Sequence, residues 1–309
     1  MTSYTIEPER RTLHGTFSRE FPPILEIAPG DTVVYRALDA GWGLEPPHAD
    51  GTARRRFEPR DPVLDAGHAL CGPLAIRGAR PGMALKVHIN DLQPGSYGWT
   101  WAGGQPSVAG ARLGIARETT LIWALDPAGM TARNQFGHTV ALRPFMGVMG
   151  LPPDEPGLHS TTPPRHCGGN IDCRELVAGS TLYLPVTVQG ALFSVGDGHA
   201  AQGDGEVSKT AIECPMARVE LTFDLDESLR LRTPRAETPE GWITFGFHED
   251  LNEAVLIALA GMLDLMEVRY GVERPEALAL ASAVVNLRVT QIANVVHGIH
   301  AVLPHGAVH

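Results

Sequence analysis

Three stretches of the chain share one pattern. In ILEIAPGDTVVYRALDAG, LAIRGARPGMALKVHIND and LVAGSTLYLPVTVQGALFSV, a short apolar run meets a glycine-containing turn and continues as an alternating segment. Ile24 and Glu26, then Val33 and Tyr35, alternate around the Pro29-Gly30-Asp31 turn, and Pro81-Gly82 marks the second turn. A period of two gives a strand one face for the core and one for water, so these stretches predict strands of a sandwich or barrel. Residues 93–165 read as irregular, with SYGWTWAGG, PFMGVMGLPPDEPG and STTPPRHCGGN broken by proline and glycine. Long ordered loops of this kind often carry function.

From residue 249 the period changes. EDLNEAVLIALAGMLDLMEVRYG has the length and spacing of a helix, with Asp250 and Glu253 as a capping pair and Gly271 as its stop. It is apolar nearly all round, which predicts burial. Pro275 opens a second helix through PEALALASAVV, and NLRVTQIANVVHGIHAVLP returns to strand. The expected fold is mainly β with a smaller α/β part. Residues 1–165 form a β-rich body with long loops, 166–248 a second β unit with the glycine-rich motifs, and 249–309 an α/β part packed on the body.

Composition supports this reading. The chain has 309 residues with 34 glycines and 25 prolines, a turn-rich balance that suits strands. Its formal net charge is −10, and Lys86 and Lys209 are its only lysines. Such a chain has no electrostatic grip on nucleic acid or anionic membrane. Arg54-Arg55-Arg56 reads as a solvated or ion-paired loop. The longest apolar run, Ala254 to Leu263, is about half of a membrane span. With Glu7, Glu9, Arg10 and Arg11 near the start, no signal peptide is expected. Four cysteines without CxxC spacing predict reduced thiols in the cytoplasm.

Candidate chemistry concentrates in two runs, HCGGNIDCRE (His166 to Glu175) and GDGHAAQGDGE (Gly196 to Glu206). Asp197 and His199 are two apart and share a face in an extended segment. Asp204 with Glu206, and Asn170 with Asp172, repeat the spacing, and Gln202 adds an amide. His68 and Asp39 lie beside glycines elsewhere. A His/Asp/Glu set from separate strand ends suits zinc or a similar divalent ion, with a further carboxylate as general base. The competing reading is that these side chains cap turns; for His88 and His138 it is preferred, and His14 stays undecided. No GxSxG elbow is present and neither lysine sits in an amidase signature. Cys173, beside Asp172 and near His166, is an alternative thiol nucleophile, whereas Cys71, Cys167 and Cys214 read as small packed residues. Trp42, Trp99 and Trp101 fall in glycine-rich loops, as pocket walls or as core.

These two runs, with HGTFSREFPPILEIAPGDTVVYRALDAGWG, GHALCGPLAIRGARPG and LRVTQIANVVHGIHAVLP, resemble the acetamidase/formamidase family from about His14 to Pro304. The resemblance implies a cytoplasmic amidohydrolase that turns formamide or acetamide into the carboxylate and ammonia. It also implies a jelly-roll-like β-sandwich with a second β unit and C-terminal helices, a homo-oligomer (dimer or higher), and bound zinc or calcium. Two features depart from the family pattern: Asn286 where many relatives have aspartate, and the loop GWGLEPPHADGTARRRFEPRD. Combined with metal-activated water chemistry, the resemblance leads to this expected site. His68, Asp172, Asp197 and His199 hold the metal, zinc first, with calcium as a possible second or structural ion. Glu206, or else Glu213, is the base, and the protonated carboxyl, or His166, is the proton donor. Asp39, Asn170, Gln202 and Trp42 surround the amide. Two other readings remain: a cupin-like metal oxygenase or isomerase, and a non-catalytic binding module with calcium on Asp197, Asp204 and Glu206.

Overall fold

The computed structural model describes residues 1–48, 50–104 and 108–309. Its strands form a nine-stranded sheet, a twelve-stranded sheet and a two-stranded ladder. The three repeated patterns each cross between the large sheets. Leu25–Ile27 and Leu70–Ile76 belong to the twelve-stranded sheet, and the strands that follow their turns, Thr32–Ala37 and Ala84–Pro94, belong to the nine-stranded one. Thr181–Pro185 and Phe193–His199 make the reverse crossing. Burial explains the difference in texture. Leu70–Ile76 and Phe193–His199 are buried at every residue, whereas Thr32–Ala37 alternates between buried and more exposed positions. The central strands of the twelve-stranded sheet are therefore covered on both faces, and those of its partner on one.

The sheets do not follow the boundary at residue 165. Ala84–Pro94 pairs with both Thr181–Pro185 and Met216–Asp226, and Phe193–His199 lies between Phe145–Gly150 and Glu213–Cys214. Segment 93–165 is also richer in strands than its proline and glycine suggested. It contains Tyr97–Ala102, Thr119–Asp126, Thr131–Asn134 and Phe145–Gly150. Phe145–Gly150 escapes the alternation test because it too is buried throughout.

The C-terminal helices form as the caps predict. Leu251–Tyr270 starts where the Asp250 side chain accepts from Asn252 N and ends at left-handed Gly271, and Arg274–Val284 has a proline in its first turn. The long helix packs on the Gly241–His248 and His297–Pro304 strands. Gly246 permits this contact, since a Cβ there would lie 1.9 Å from the Ala254 carbonyl oxygen. The helix is not buried all round, however: Leu256 is 57% and Val268 87% exposed. It is an outer layer with a sheet on one side, so only one face (Ala254, Ala258, Met262, Leu263, Leu265, Met266) reaches the core. No helix among the described residues is long and apolar enough to cross a membrane.

Candidate metal and amide site

The site forms where four segments meet beneath a cavity of about 410 Å³. The Phe193–His199 strand brings Asp197 and His199. Glu213, on the neighbouring strand, pairs across from His199. Asp172 follows the short Gly168–Asn170 strand, and Glu206 lies in the glycine-rich loop. Ligand atoms of Asp197, His199 and Glu213 lie within 4.8 Å of one another, as do those of Asp172, His199 and Glu206. His199 Nε2 is 3.3 Å from Asp197 Oδ1 and 3.3 Å from Glu213 Oε2. All five side chains are buried.

The cluster fits a divalent cation. His199 Nε2, both Asp172 carboxylate oxygens and Glu213 Oε2 are buried without a hydrogen-bond partner, a costly arrangement unless a further group satisfies them. The His199 tautomer agrees: Gln202 Oε1 lies 3.1 Å from Nδ1 and can only accept there. Nδ1 therefore carries a hydrogen, and Nε2, which faces Asp197 and Glu213, is the nitrogen that would give up its proton to take a metal. Gln202 Nε2 donates to the Asp172 carbonyl at 2.8 Å, tying the two halves of the cluster together. Backbone strain concentrates here too. Trp42, Asp172, Asp197, Glu206 and Lys209 are five of the eight non-glycine residues with left-handed φ among the described residues, and such strain persists where the surroundings enforce it.

The electrostatics follow from so many acids in one dry place. Burial, then the Glu206 charge, pushes Asp172 well above the carboxylate range. Burial also raises Glu206 to about 7 and Glu213 to about 8, with His199 opposing and Asp197 adding to each shift. For His199, burial alone would lower the pKa, but Glu213 and Asp197 outweigh it and the group ends well above its ordinary value. Asp197 goes down, because His199 and then His68 outweigh its burial. An acid raised on folding stabilises the fold while protonated, and that stability is lost as pH rises through its folded pKa. For Glu206 and Glu213 the window runs from about 4.5 to about 8. Chelated protein is therefore expected to melt at falling temperature from pH 5 to pH 8 in calorimetry. Added zinc should flatten the slope; a Tm that rises over this range would contradict the arrangement.

Other expected site residues fall elsewhere. His68 lines the cavity, with Nδ1 2.8 Å from Thr161 Oγ1, but is not in either ligand group. His166 is exposed and does not line the cavity, because the turn after Pro164–Arg165 points it outward. Asp39 does not line the cavity: its buried carboxylate is held by Arg54 at 2.6 Å and by Gly41 N and Gly43 N at 3.0 Å. Gln202 orients His199 and does not line the cavity. Asn170 and Trp42 do line it; Asn170 Oδ1 has no partner, and Trp42 donates from Nε1 to Gly67 O at 2.8 Å. Trp99 and Trp101 join Trp42 as walls. Cys173 is unsuited as a nucleophile, since burial, then Glu175, raises its thiol well above the ordinary value. The three-acid calcium grouping does not assemble either, because Asp204 is exposed and pairs with Arg288 at 2.7 Å. His14, His88 and His138 are held by Thr16 with Ser194, by Thr181 and by Asn134 respectively.

Three contributors were invisible in the sequence. Gly147 lies against the cluster: a Cβ there would sit 2.5 Å from Asp197 Oδ2 and 2.8 Å from Asp172 Oδ1. Arg288 bridges Asp204 and Glu175, at 2.7 Å each, so the Asn286–Gln291 strand at the edge of the nine-stranded sheet fastens both site loops. Glu175 in turn meets buried His300 at 3.3 Å. A second fastening is the backbone: Ile292 N donates to Gly205 O at 2.9 Å, beside Glu206. The third is the cationic pair Arg56 and Lys209 on the cavity wall.

A mainly β fold with a buried His–carboxylate cluster at the floor of a tryptophan-walled cavity has the donor set and the space of a ligand site able to hold a divalent cation. The chain matches the model of the Acetamidase/Formamidase family over residues 2–160 and 155–306 and belongs to that family. It is 50% identical to the acetamidase of Mycolicibacterium smegmatis, in a match covering 48% of this chain and 51% of the relative. It is 24% identical to the formamidase of Methylophilus methylotrophus, covering 63% and 60%. The chain thus spans between half and two thirds of the length of these relatives. The crystal structure of an acetamidase from Bacillus halodurans superposes with a TM-score of 0.83 at 27% identity, covering 97% of each chain.

Proposed function

We propose that the protein hydrolyses short amides such as formamide or acetamide to the carboxylate and ammonia, with a divalent metal at the His–carboxylate cluster. The observation that carries this is the set of unpartnered buried atoms on His199, Asp172 and Glu213, together with the names borne by the relatives. His199 Nε2, Asp172 and Asp197 would hold the ion, with Glu213 beside them. A histidine nitrogen among the ligands favours zinc over calcium, which takes oxygen. Such an ion supplies Lewis acidity for the amide carbonyl and makes water a better acid.

The chain's own groups account for the rest. Asn170 Oδ1, a free acceptor on the wall, takes a hydrogen bond from the amide nitrogen and orients the substrate. Glu206, buried on the cavity floor beside Asp172, takes a proton from water as the new carbon–oxygen bond forms. It returns the proton to nitrogen as the carbon–nitrogen bond breaks and ammonia leaves. Gln202 holds the His199 ring throughout. Buried free cysteines agree with a reducing, cytoplasmic setting, and self-association into a homo-oligomer belongs to the same proposal.

The test is ammonia release from formamide, acetamide and propionamide before and after chelation. Removal of metal is expected to lower the rate by roughly tenfold or more, with recovery on adding zinc. An unchanged rate after thorough chelation would remove the metal and leave the amidase. No ammonia from any amide would remove the amidase.

A further inference from the structure

The cavity above the acids is much roomier than formamide or acetamide requires. At about 410 Å³ it falls within the range of roughly 300–1,000 Å³ found for drug-sized ligands. Trp42, Trp99 and Trp101 supply apolar wall, and Arg56, Arg60 and Lys209 line the same space. This is an unusual place for positive charge in a chain of net charge −10 with two lysines.

The neighbouring cations are spoken for. Arg54 is paired with Asp39 at 2.6 Å, Arg55 with Glu45 at 2.7 Å, and Arg60 approaches Glu58 at 3.4 Å while lying over the Trp42 ring. The Arg56 and Lys209 side chains have no ion-pair partner among the described residues. They reach the cavity from opposite sides of the sequence, Arg56 from the arginine-rich loop and Lys209 from the loop of Glu206. Lys209 also holds a left-handed φ of 74°, which fixes where its side chain starts.

We infer that the site takes an amide whose far end carries a carboxylate, held by Arg56 and Lys209 while the amide group lies on the His–carboxylate floor. This rests on the amidase reading above. Two separate cations match one carboxylate, each as a charge-assisted donor. The acids on the floor repel a more highly charged group such as phosphate, and the indoles cover the methylenes between the two ends. The half-amides of short dicarboxylic acids are the class that fits.

The experiment compares malonamate, succinamate and glutaramate with the corresponding neutral diamides, and runs acetamide alongside. For at least one chain length, kcat/KM for the carboxylate is expected to exceed that of the diamide by roughly tenfold, mostly through KM. Raising ionic strength should shrink the preference. In the double variant Arg56→Met and Lys209→Met the ratio should fall toward one. Calorimetric binding of succinate to the metal-loaded protein, expected in the native chain and lost in the double variant, reads the anion subsite without turnover. Acetamide hydrolysis with no preference for any carboxylate overturns this inference alone. So does a double variant that slows both series equally, which would mean that the cations serve the acid cluster. Succinate binding without turnover of any amide would keep the anion subsite and overturn the amidase reading.

Discussion

Glu206→Gln is expected to lower kcat for amide hydrolysis by roughly a hundredfold to ten-thousandfold, the usual worth of a positioned general base. The substitution keeps shape and volume and removes only the ability to take a proton. Glu206 is buried, lines the cavity and lies beside Asp172 and His199, so it combines access to substrate with a place next to the ligand atoms that would hold the ion. KM should change little, and metal content should stay near the native value because His199, Asp172 and Asp197 remain. Removing one buried acid should also flatten the fall in Tm of the chelated protein between pH 5 and pH 8. Two measurements decide the matter, steady-state ammonia release and metal content. If Glu206→Gln loses the metal while Glu213→Gln retains it and loses kcat, the two glutamates exchange roles.

Gly147→Ala is expected to be almost as damaging, although the residue bears no chemistry. Its Cβ would fall 2.5 Å from Asp197 Oδ2, 2.8 Å from Asp172 Oδ1 and 2.9 Å from His199 Cε1. The atoms it meets are the ligand-bearing ends of these side chains, so the contact is relieved only by moving the carboxylates and the imidazole out of the arrangement the cluster needs. A shift of about 1 Å in catalytic groups costs on the order of a hundredfold in rate. Metal content should drop with activity, whereas Glu206→Gln should separate them. Gly203→Ala is the control: it lies in the glycine-rich motif, but a Cβ there meets nothing within 4 Å. Near-native activity in Gly147→Ala would mean that the acids have slack which the packing does not show.

Much of the site was legible because local spacing carries geometric information. Asp197 and His199 were expected on one face, and both reach the cluster, with Asp172, Glu206 and Glu213 joining them. Asp39 read the same way, as a carboxylate beside glycines, yet it serves Arg54 and two backbone amides. His166 stands in one of the two strongest motifs and still points to solvent. Residue type and neighbours state what a side chain can do, but not whether another side chain has already claimed it.

The sequence by itself determined the strand-forming segments around their glycine turns, both C-terminal helices with their caps, the family and most of the acids. These properties depend on contacts a few residues apart, where the 2.0 and 3.6 periods act directly. Only the tertiary structure decided that the three turns pass from one sheet to the other, and that Phe145–Gly150 lies beside Phe193–His199 so that Gly147 touches the acids. It also decided that the long helix leaves Val268 in water, and that Arg288 ties Glu175 to Asp204. The reason is the same in each case. Side-chain alternation specifies a face, while the choice of partner across that face is settled by packing between segments far apart in the chain.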